Sequence, residues 1–230
     1  MKRRIVLVHA VTVAIEPVHA TFRDRWPDAE LVNLLDDSLA RDLAEAGDLT
    51  PGMHARFAAL TCYALDIGAD GILFTCSAFG EAIDAARAGA PVPVLKPNEA
   101  MFLDALEQGE RIGMLATFEP SVASMEADFR AVAGGKAVLR TICVPEAMRA
   151  LHAGDADTHD QLLAQAAPSL RDCDALMLAQ FSTSRASCAV AAAVGCPVLT
   201  SPGSAVERLR ALVAPGYSGN PALRFLSHAP

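Results

Sequence analysis

The chain has 230 residues, of which 52% are apolar and 5% aromatic, and its formal net charge is −8. This apolar content excludes intrinsic disorder, which requires low hydrophobicity, and the length suffices for a substantial core. The chain has 19 Lys and Arg against 27 Asp and Glu. That balance and the few aromatic residues disfavour nucleic-acid binding through a basic face or a stacking platform.

The amino terminus can be interpreted in two ways. The basic start MKRR, the apolar run IVLVHAVTVAI and the small residues after it resemble a secretory signal. Against this interpretation, His9 and Thr12 interrupt the apolar run and Glu16 follows it, so we predict a buried first strand instead. No apolar run is long enough to span a bilayer, so no membrane association is expected.

Six cysteines are dispersed along the chain without a C-x-x-C pair or the spacing of zinc ligands. If the first apolar run is a strand and not a signal, this usage predicts reduced thiols and a cytoplasmic protein. Most of these cysteines are expected to be small buried residues that carry no chemistry.

Short apolar runs alternate with helical patterns along the chain, which predicts βαβ units and mainly parallel sheets. Helices are expected to begin where a side chain can cap them, at Thr50 before Pro51, at Asn98 and at Ser121. The polar segment 36–48 is expected to be a mobile connection. The predicted strands are 4–8, 30–34, 71–74, 92–95, 111–116, 137–143, 175–178 and 197–200.

An internal repeat divides the chain. ADGILFTC at 69–76 matches CDALMLAQ at 173–180, and the same offset of 104 residues brings PVL at 93–95 onto PVL at 197–199. We therefore predict an α/β protein of two similar Rossmann-like or flavodoxin-like halves, residues 1–96 with 207–230 and residues 97–206. Parallel sheets bind ligands at the carboxyl ends of their strands, so an active-site cleft is expected between the halves. Its loops would be 9–12, 75–79, 117–121, 180–184 and 200–204.

Cys76 directly follows the predicted strand GILF and precedes a predicted helix. The positive end of a helix dipole lowers the pKa of a thiol, so we expect a thiolate and the most reactive cysteine of the chain. Neighbouring backbone amides would form a nest for a carboxylate or enolate oxygen. The alternative is a buried cysteine that only packs.

Four segments carry a resemblance to a known family. ADGILFTCSAFG, RIGMLATFEPS, ALMLAQFSTS and GCPVLTSPGSAV resemble, in order and spacing, the aspartate/glutamate/hydantoin racemase superfamily, which includes arylmalonate decarboxylase and maleate isomerase. The resemblance implies two similar α/β halves, each with a strand-end cysteine beside the substrate carbon. It also implies cofactor-independent chemistry next to a carboxylate and a homo-oligomer.

Gln180 stands where this family carries its second cysteine. By the repeat, Gln180 is expected to face the same substrate carbon as Cys76. Because an amide cannot titrate, we expect a single-thiol isomerase or decarboxylase acting on a small organic or amino acid. The alternative is a non-catalytic protein that binds small carboxylates and has lost the second cysteine. Substrate contacts are expected from His9, Thr12, Thr75, Ser77, Ala78, Thr117, Ser121, Phe181, Ser182, Thr183 and Thr200.

Three patterns suggest other ligands and are set aside. The segment HAGDADTHD at 152–160 is rich in metal-ligating residue types, but its spacing fits no standard site. AGGK at 133–136 lacks the rest of a P-loop, and no G-x-G-x-x-G follows the first strand. We therefore expect neither a metal nor a cofactor.

His9 can serve either as a spare base in the cleft or as a locally hydrogen-bonded side chain.

Overall fold

The structure, a computed structural model, describes residues 2–214. Eight strands of this part of the chain form two four-stranded sheets, and every pairing is parallel, which confirms the predicted α/β class. The predicted strands form with shifts of one or two residues at some ends. They are β1 Arg4–His9, β2 Glu30–Leu35, β3 Gly71–Phe74, β4 Val94–Leu95, β5 Arg111–Ala116, β6 Val138–Cys143, β7 Ala175–Leu178 and β8 Val198–Thr200.

Helices connect the strands, and within residues 2–214 none is long and apolar enough to span a membrane. Short 3₁₀ turns precede several of them, among them Ser77–Phe79 and Phe181–Ala186. The helices are α1 Ile15–Arg25, α2 Leu39–Ala46, α3 Pro51–Asp66, α4 Gly80–Arg87, α5 Glu99–Leu106, α6 Val122–Ala133, α7 Pro145–His152, α8 Ala156–Ala166, α9 Ser187–Ala193 and α10 Ser201–Leu212.

Three local predictions are wrong. The segment 36–48, expected to be a mobile connection, contains α2, which Arg56 of α3 holds through ion pairs to Asp36 and Asp42. Thr50 caps α3 by accepting the N–H of Met53 at 3.3 Å, as predicted. Asn98 and Ser121 precede their helices without capping them. The Asn98 side chain accepts from the Ser201 hydroxyl instead, and the Ser121 hydroxyl donates to Phe118 O.

The described chain divides into two compact units. Unit 1 takes residues 2–96 and 205–214, and unit 2 takes residues 97–204. Residues 215–230, which the sequence analysis assigned to the first half, lie outside the described residues.

The two sheets share one topology. Their strand orders are β2-β1-β3-β4 and β6-β5-β7-β8. In each unit the chain connections diverge between the two central strands, and such a switch point opens a ligand crevice at the carboxyl ends. In unit 1 the backbone N–H of Thr75 bonds Val8 O there at 3.0 Å, and in unit 2 the N–H of Ala179 bonds Leu115 O at 3.0 Å.

Both faces of the unit 2 sheet are covered. One face packs on α5 and α6, where Phe102 and Phe129 meet edge to face with ring centroids 5.6 Å apart. The other face packs on α7, α8 and α9 through buried residues such as Leu163 and Val190. Burial on both faces explains why the central strands β5 and β7 are nearly continuous apolar runs in the sequence.

In unit 1 three phenylalanines fix the turn that follows β3. The ring of Phe57 on α3 lies 5.3 Å from that of Phe74 and 4.9 Å from that of Phe79, measured between centroids. All three side chains are fully or almost fully buried. Since Phe74 and Phe79 lie on either side of Cys76 in the chain, this cluster holds the Cys76 turn against α3.

An aspartate joins the central strands at the amino edge of each sheet. Asp70 accepts hydrogen bonds from the backbone N–H of Arg4 and the guanidinium of Arg3, each at 2.8 Å. Asp174, 104 residues later, accepts from the backbone N–H of Arg111 at 2.9 Å and from its guanidinium at 2.7 Å. The repeat therefore extends to the edge opposite the predicted site.

Candidate active site

Cys76 occupies the carboxyl end of the unit 1 sheet beside its switch point. Its backbone is extended, with φ −118° and ψ 122°, and the 3₁₀ turn Ser77–Phe79 then leads into α4. The thiol is half-buried, and the backbone N–H of Ala78 donates a hydrogen bond to its sulfur. Ser77 and Ala78 are buried within this turn.

The thiolate expected at Cys76 from the sequence is wrong. Burial raises the pKa of the Cys76 thiol to about 11, and the N–H of Ala78 opposes only part of this effect. The α-helix begins four residues after Cys76, behind the 3₁₀ turn. Because the influence of a helix dipole falls off within the first turn, it does not offset the burial. At neutral pH the side chain is a thiol with a proton to donate.

His9 ends β1 and is fully buried. Its Nδ1 lies 2.8 Å from Thr75 Oγ1 and its Nε2 lies 2.9 Å from Asn33 Oδ1. Since an amide oxygen only accepts, this arrangement assigns the proton to Nε2 and makes Nδ1 the acceptor of the Thr75 hydroxyl. The other acceptor near that hydroxyl, Val8 O, is farther away at 3.3 Å.

Burial lowers the pKa of His9; the hydrogen bond to Asn33 opposes this shift, and the nearby His19 adds to it. His9 is therefore neutral at neutral pH. Asn33 and His19 also belong to this cluster, although neither was expected from the sequence. The Nε2 of His19 lies 2.8 Å from the same Asn33 oxygen. The one available signal was an asparagine inside a strand, where that residue type is uncommon.

In unit 2 the position equivalent to Cys76 is Gln180, and its backbone is also extended, with φ −105° and ψ 156°. Its Oε1 accepts the backbone N–H of Thr117 at 3.0 Å, and its Nε2 donates to Ser121 Oγ at 3.0 Å. The Ser121 hydroxyl in turn donates to Phe118 O at 2.8 Å. Both ends of the amide are thus bound within unit 2.

The family model for Asp/Glu/Hydantoin racemase matches residues 10–209. The chain belongs to this family. A search of curated protein sequences found no match.

Solved structures of racemase-family proteins share the fold at low sequence identity. Allantoin racemase from Pseudomonas fluorescens has a TM-score of 0.71 at 18% identity, covering 99% of this chain and 97% of that one. Glutamate racemase from Thermus thermophilus with β-chloro-D-alanine has a TM-score of 0.68 at 21% identity, covering 98% and 92%. A liganded double mutant of arylmalonate decarboxylase has a TM-score of 0.66 at 18% identity, covering 94% of each chain.

The other residues expected to bind substrate in this racemase-family chain have mixed surroundings. His9, Thr75, Cys76, Ser77 and Ala78 are grouped at one end of the unit 1 sheet, whereas Thr12 is exposed on a 3₁₀ turn. In unit 2, Thr117, Ser121 and Thr183 contact Gln180, and Phe181 and Ser182 are buried beside it. Thr200 accepts the N–H of Gly203 at 3.3 Å in the first turn of α10.

In this racemase-family chain, side chains of the histidine- and aspartate-rich segment 152–160 cap a helix and bind one another. Asp155 caps α8 by accepting the N–H of Thr158 at 3.0 Å. The buried His159 bonds Asp160 at 2.7 Å, and Asp160 accepts from Arg185 at 2.9 Å. Within residues 2–214, no three His, Cys, Asp or Glu side chains are grouped as a metal site requires.

Proposed function

We propose that the protein is a cofactor-independent enzyme that acts at the carbon next to a carboxylate of a small organic or amino acid. Cys76 is its single reacting thiol. The observation that carries this proposal is the position of Cys76 at the switch point of the unit 1 sheet, where burial raises the pKa of its thiol. Membership of a family whose structural neighbours include racemases and a decarboxylase supports the same chemistry.

The protonated thiol favours proton donation over nucleophilic attack. In a decarboxylation, the bond between the α-carbon and one carboxylate breaks, carbon dioxide leaves, and the electron pair remains as an enediolate. Cys76 then transfers its proton to the α-carbon, and solvent reprotonates the sulfur. The backbone N–H groups of the Ser77–Phe79 turn, together with the Ser77 hydroxyl, would stabilise the enediolate oxygens.

The bonds of Gln180 disfavour racemisation by two thiols. A two-base racemase needs a titratable group on each face of the substrate carbon, and an amide cannot titrate. In addition, the Gln180 amide is engaged by Thr117 and Ser121. We therefore propose that protons are handled on one face of the substrate, in a decarboxylation or an isomerisation.

A non-catalytic carboxylate-binding protein is the second candidate. In unit 2 the hydroxyls of Ser121 and Thr183 donate to the backbone oxygens of Phe118 and Gln180. Because these hydroxyls serve the fold of the loop, they favour a protein without chemistry in unit 2. Such a protein would bind through Ser77 and Ala78 without transferring a proton. Only turnover separates the two candidates.

The test is incubation in D₂O with phenylmalonate, aspartate, glutamate and allantoin, followed by NMR and chiral separation. We expect a product deuterated with one configuration, loss of its formation in Cys76→Ala, and retention in Cys62→Ser, which changes an exposed thiol. Calorimetric binding without any turnover would establish the binding protein instead. Racemisation of aspartate or glutamate that depends on Cys76 would refute the one-thiol mechanism.

The homo-oligomer and the cytoplasmic location stay predictions. The presence of six free cysteines is compatible with a reducing compartment.

A further inference from the structure

In both units one backbone hydrogen bond joins the carboxyl ends of the two central strands, and we call this joined end the frame. The side chains on the frame differ between the units. At the carboxyl ends of the central strands, unit 1 places His9, Thr75 and Cys76. The repeat of 104 residues places Ala179 and Gln180 at the positions of Thr75 and Cys76. The strand register places Ala116 at the position of His9, because Val8 pairs with Phe74 in unit 1 and Leu115 pairs with Leu178 in unit 2. The hydrogen bond that closes each frame, from the N–H of Thr75 or of Ala179, has the same length of 3.0 Å.

Unit 2 therefore shows that the frame does not require a histidine or a threonine at these positions. Alanine at both closes it equally well. A buried histidine carries a desolvation cost that alanine does not. Its presence in unit 1, one strand away from the Cys76 turn, calls for a chemical explanation.

We propose that His9, acting through the Thr75 hydroxyl, accepts a proton from the substrate in the same site where Cys76 donates one. This inference rests on the proposed function and adds a base to it. Thr75 would be the catalytic residue that meets the substrate, and His9 the positioning residue behind it.

The hydrogen-bond geometry fits this role. Thr75 Oγ1 lies 2.8 Å from His9 Nδ1, and the opposite ring nitrogen lies 2.9 Å from Asn33 Oδ1. A hydroxyl, a histidine that accepts from it, and a third group that orients the histidine form the usual arrangement for activating a hydroxyl. Asn33 fixes the tautomer in which Nδ1 is free to take a proton.

The surroundings of His9 and Cys76 favour a base at the first residue and an acid at the second. Burial lowers the pKa of His9 and raises that of Cys76, so both groups are neutral, one as a base and the other as an acid. Environments that separate two pKa values in this way mark an acid–base pair. The titratable group that faces His9 is His19 of α1, which shares the Asn33 oxygen.

The proton balance closes within unit 1. The bond between the substrate α-carbon and its hydrogen breaks, and the electron pair stays on the substrate as an enolate. Thr75 Oγ1 takes that proton and passes its own to His9 Nδ1, while Nε2–H remains bonded to Asn33. Cys76 returns a proton to the substrate, and solvent restores both groups.

The first test is an NMR measurement on protein labelled with ¹⁵N-histidine. We expect His9 to be neutral with a protonated Nε2 and an unprotonated Nδ1. Thr75→Val should shift the Nδ1 resonance, and Thr75→Ser should restore it. A protonated Nδ1 would overturn the proposal, because that nitrogen would then donate to Thr75 and could not accept.

The second test separates acid from base. Decarboxylation of phenylmalonate needs only a proton donor, whereas α-hydrogen exchange of 2-phenylpropionate in D₂O needs a proton acceptor. We expect His9→Gln to lower kcat for exchange by about 100-fold or more, and to lower it far more than it lowers kcat for decarboxylation. The acid limb of the kcat–pH profile for exchange should disappear with it. His152→Gln, an exposed histidine of unit 2, is the control.

Each other outcome has a defined meaning. Equal loss of both reactions in His9→Gln would indicate a merely structural histidine and overturn the inference. Decarboxylation by the wild type without any exchange would overturn the inference and leave the proposed function standing. Absence of both reactions in the wild type would overturn the two together.

Discussion

The side-chain oxygen of Gln180 accepts the backbone N–H of Thr117 at 3.0 Å. This bond joins the end of β7 to the end of β5 and satisfies a donor that the strand leaves unpaired. A cysteine side chain is shorter than glutamine and is a weak acceptor. Gln180 therefore holds the strand ends of unit 2 together. It differs from the cysteine expected at this position in two ways, because it cannot titrate and because its amide makes these hydrogen bonds.

Gln180→Cys should destabilise the protein and yield little racemase activity. The N–H of Thr117 and the hydroxyl of Ser121 would each lose a partner, which we expect to reduce the free energy of unfolding by about 1–3 kcal/mol. Urea denaturation measures this loss, and Gln161→Cys on the exposed face of α8 is the control. An unchanged urea midpoint together with rapid racemisation of aspartate would contradict the structural role.

Alkylation should label Cys76 late, in contrast to the expectation from sequence. At neutral pH the exposed Cys62 and Cys188 should react first, because Cys76 is half-buried and burial raises its pKa to about 11. The rate at Cys76 should rise as the pH approaches that value. Mass-spectrometric mapping after brief exposure to iodoacetamide measures the order of labelling. Preferential labelling of Cys76 at neutral pH would contradict the raised pKa.

Phe57→Ala should destabilise unit 1 and disturb the Cys76 turn. The ring of Phe57 packs against those of Phe74 and Phe79, so its removal leaves a cavity, with an expected cost of about 3–5 kcal/mol. Tyr63→Ala on the same helix removes an exposed ring and should have little effect. Chemical denaturation compares the two variants. Equal losses would show that Phe57 is not part of the core.

Asp174→Asn should lower the free energy of unfolding at neutral pH but not in strong acid. The hydrogen bonds from the Arg111 guanidinium and backbone N–H lower the pKa of Asp174 to about 2. A carboxyl whose pKa is lower in the folded state stabilises the fold above its unfolded pKa, near 4. That contribution disappears as the pH falls toward 2.

Urea midpoints measured across this pH range test the prediction. The wild type should lose more stability than Asp174→Asn between pH 4 and pH 2, and Asp28→Asn, at an exposed turn, should follow the wild type. Parallel pH curves for wild type and Asp174→Asn would refute it.

The central strands could be predicted from sequence because burial on both faces leaves nearly continuous apolar runs. The 104-residue repeat identified 71–74 with 175–178, which are β3 and β7. Cys76 and Gln180 could be assigned to strand ends for the same reason. These features depend only on local pattern and order along the chain.

The remaining features depend on tertiary contacts. Asn33 meets His9 because of the register between β1 and β2, and His19 reaches the same oxygen from α1. The pKa of Cys76 depends on what covers the thiol, which no spacing reveals. Asn98 failed as a cap because the hydroxyl of Ser201, far along the chain, donates to its side chain instead.

The paired aspartates at the amino edges have a consequence for how such a chain can diversify. Asp70 and Asp174 tie the central strands together at the edge opposite Cys76 and Gln180. Cohesion of the sheets is thus secured where no substrate is expected. The reactive edge can then accept histidine or alanine, cysteine or glutamine, while the scaffold keeps its topology. A duplicated module of this design can lose its chemistry in one copy and remain folded, which leaves the other copy free to acquire a new reaction.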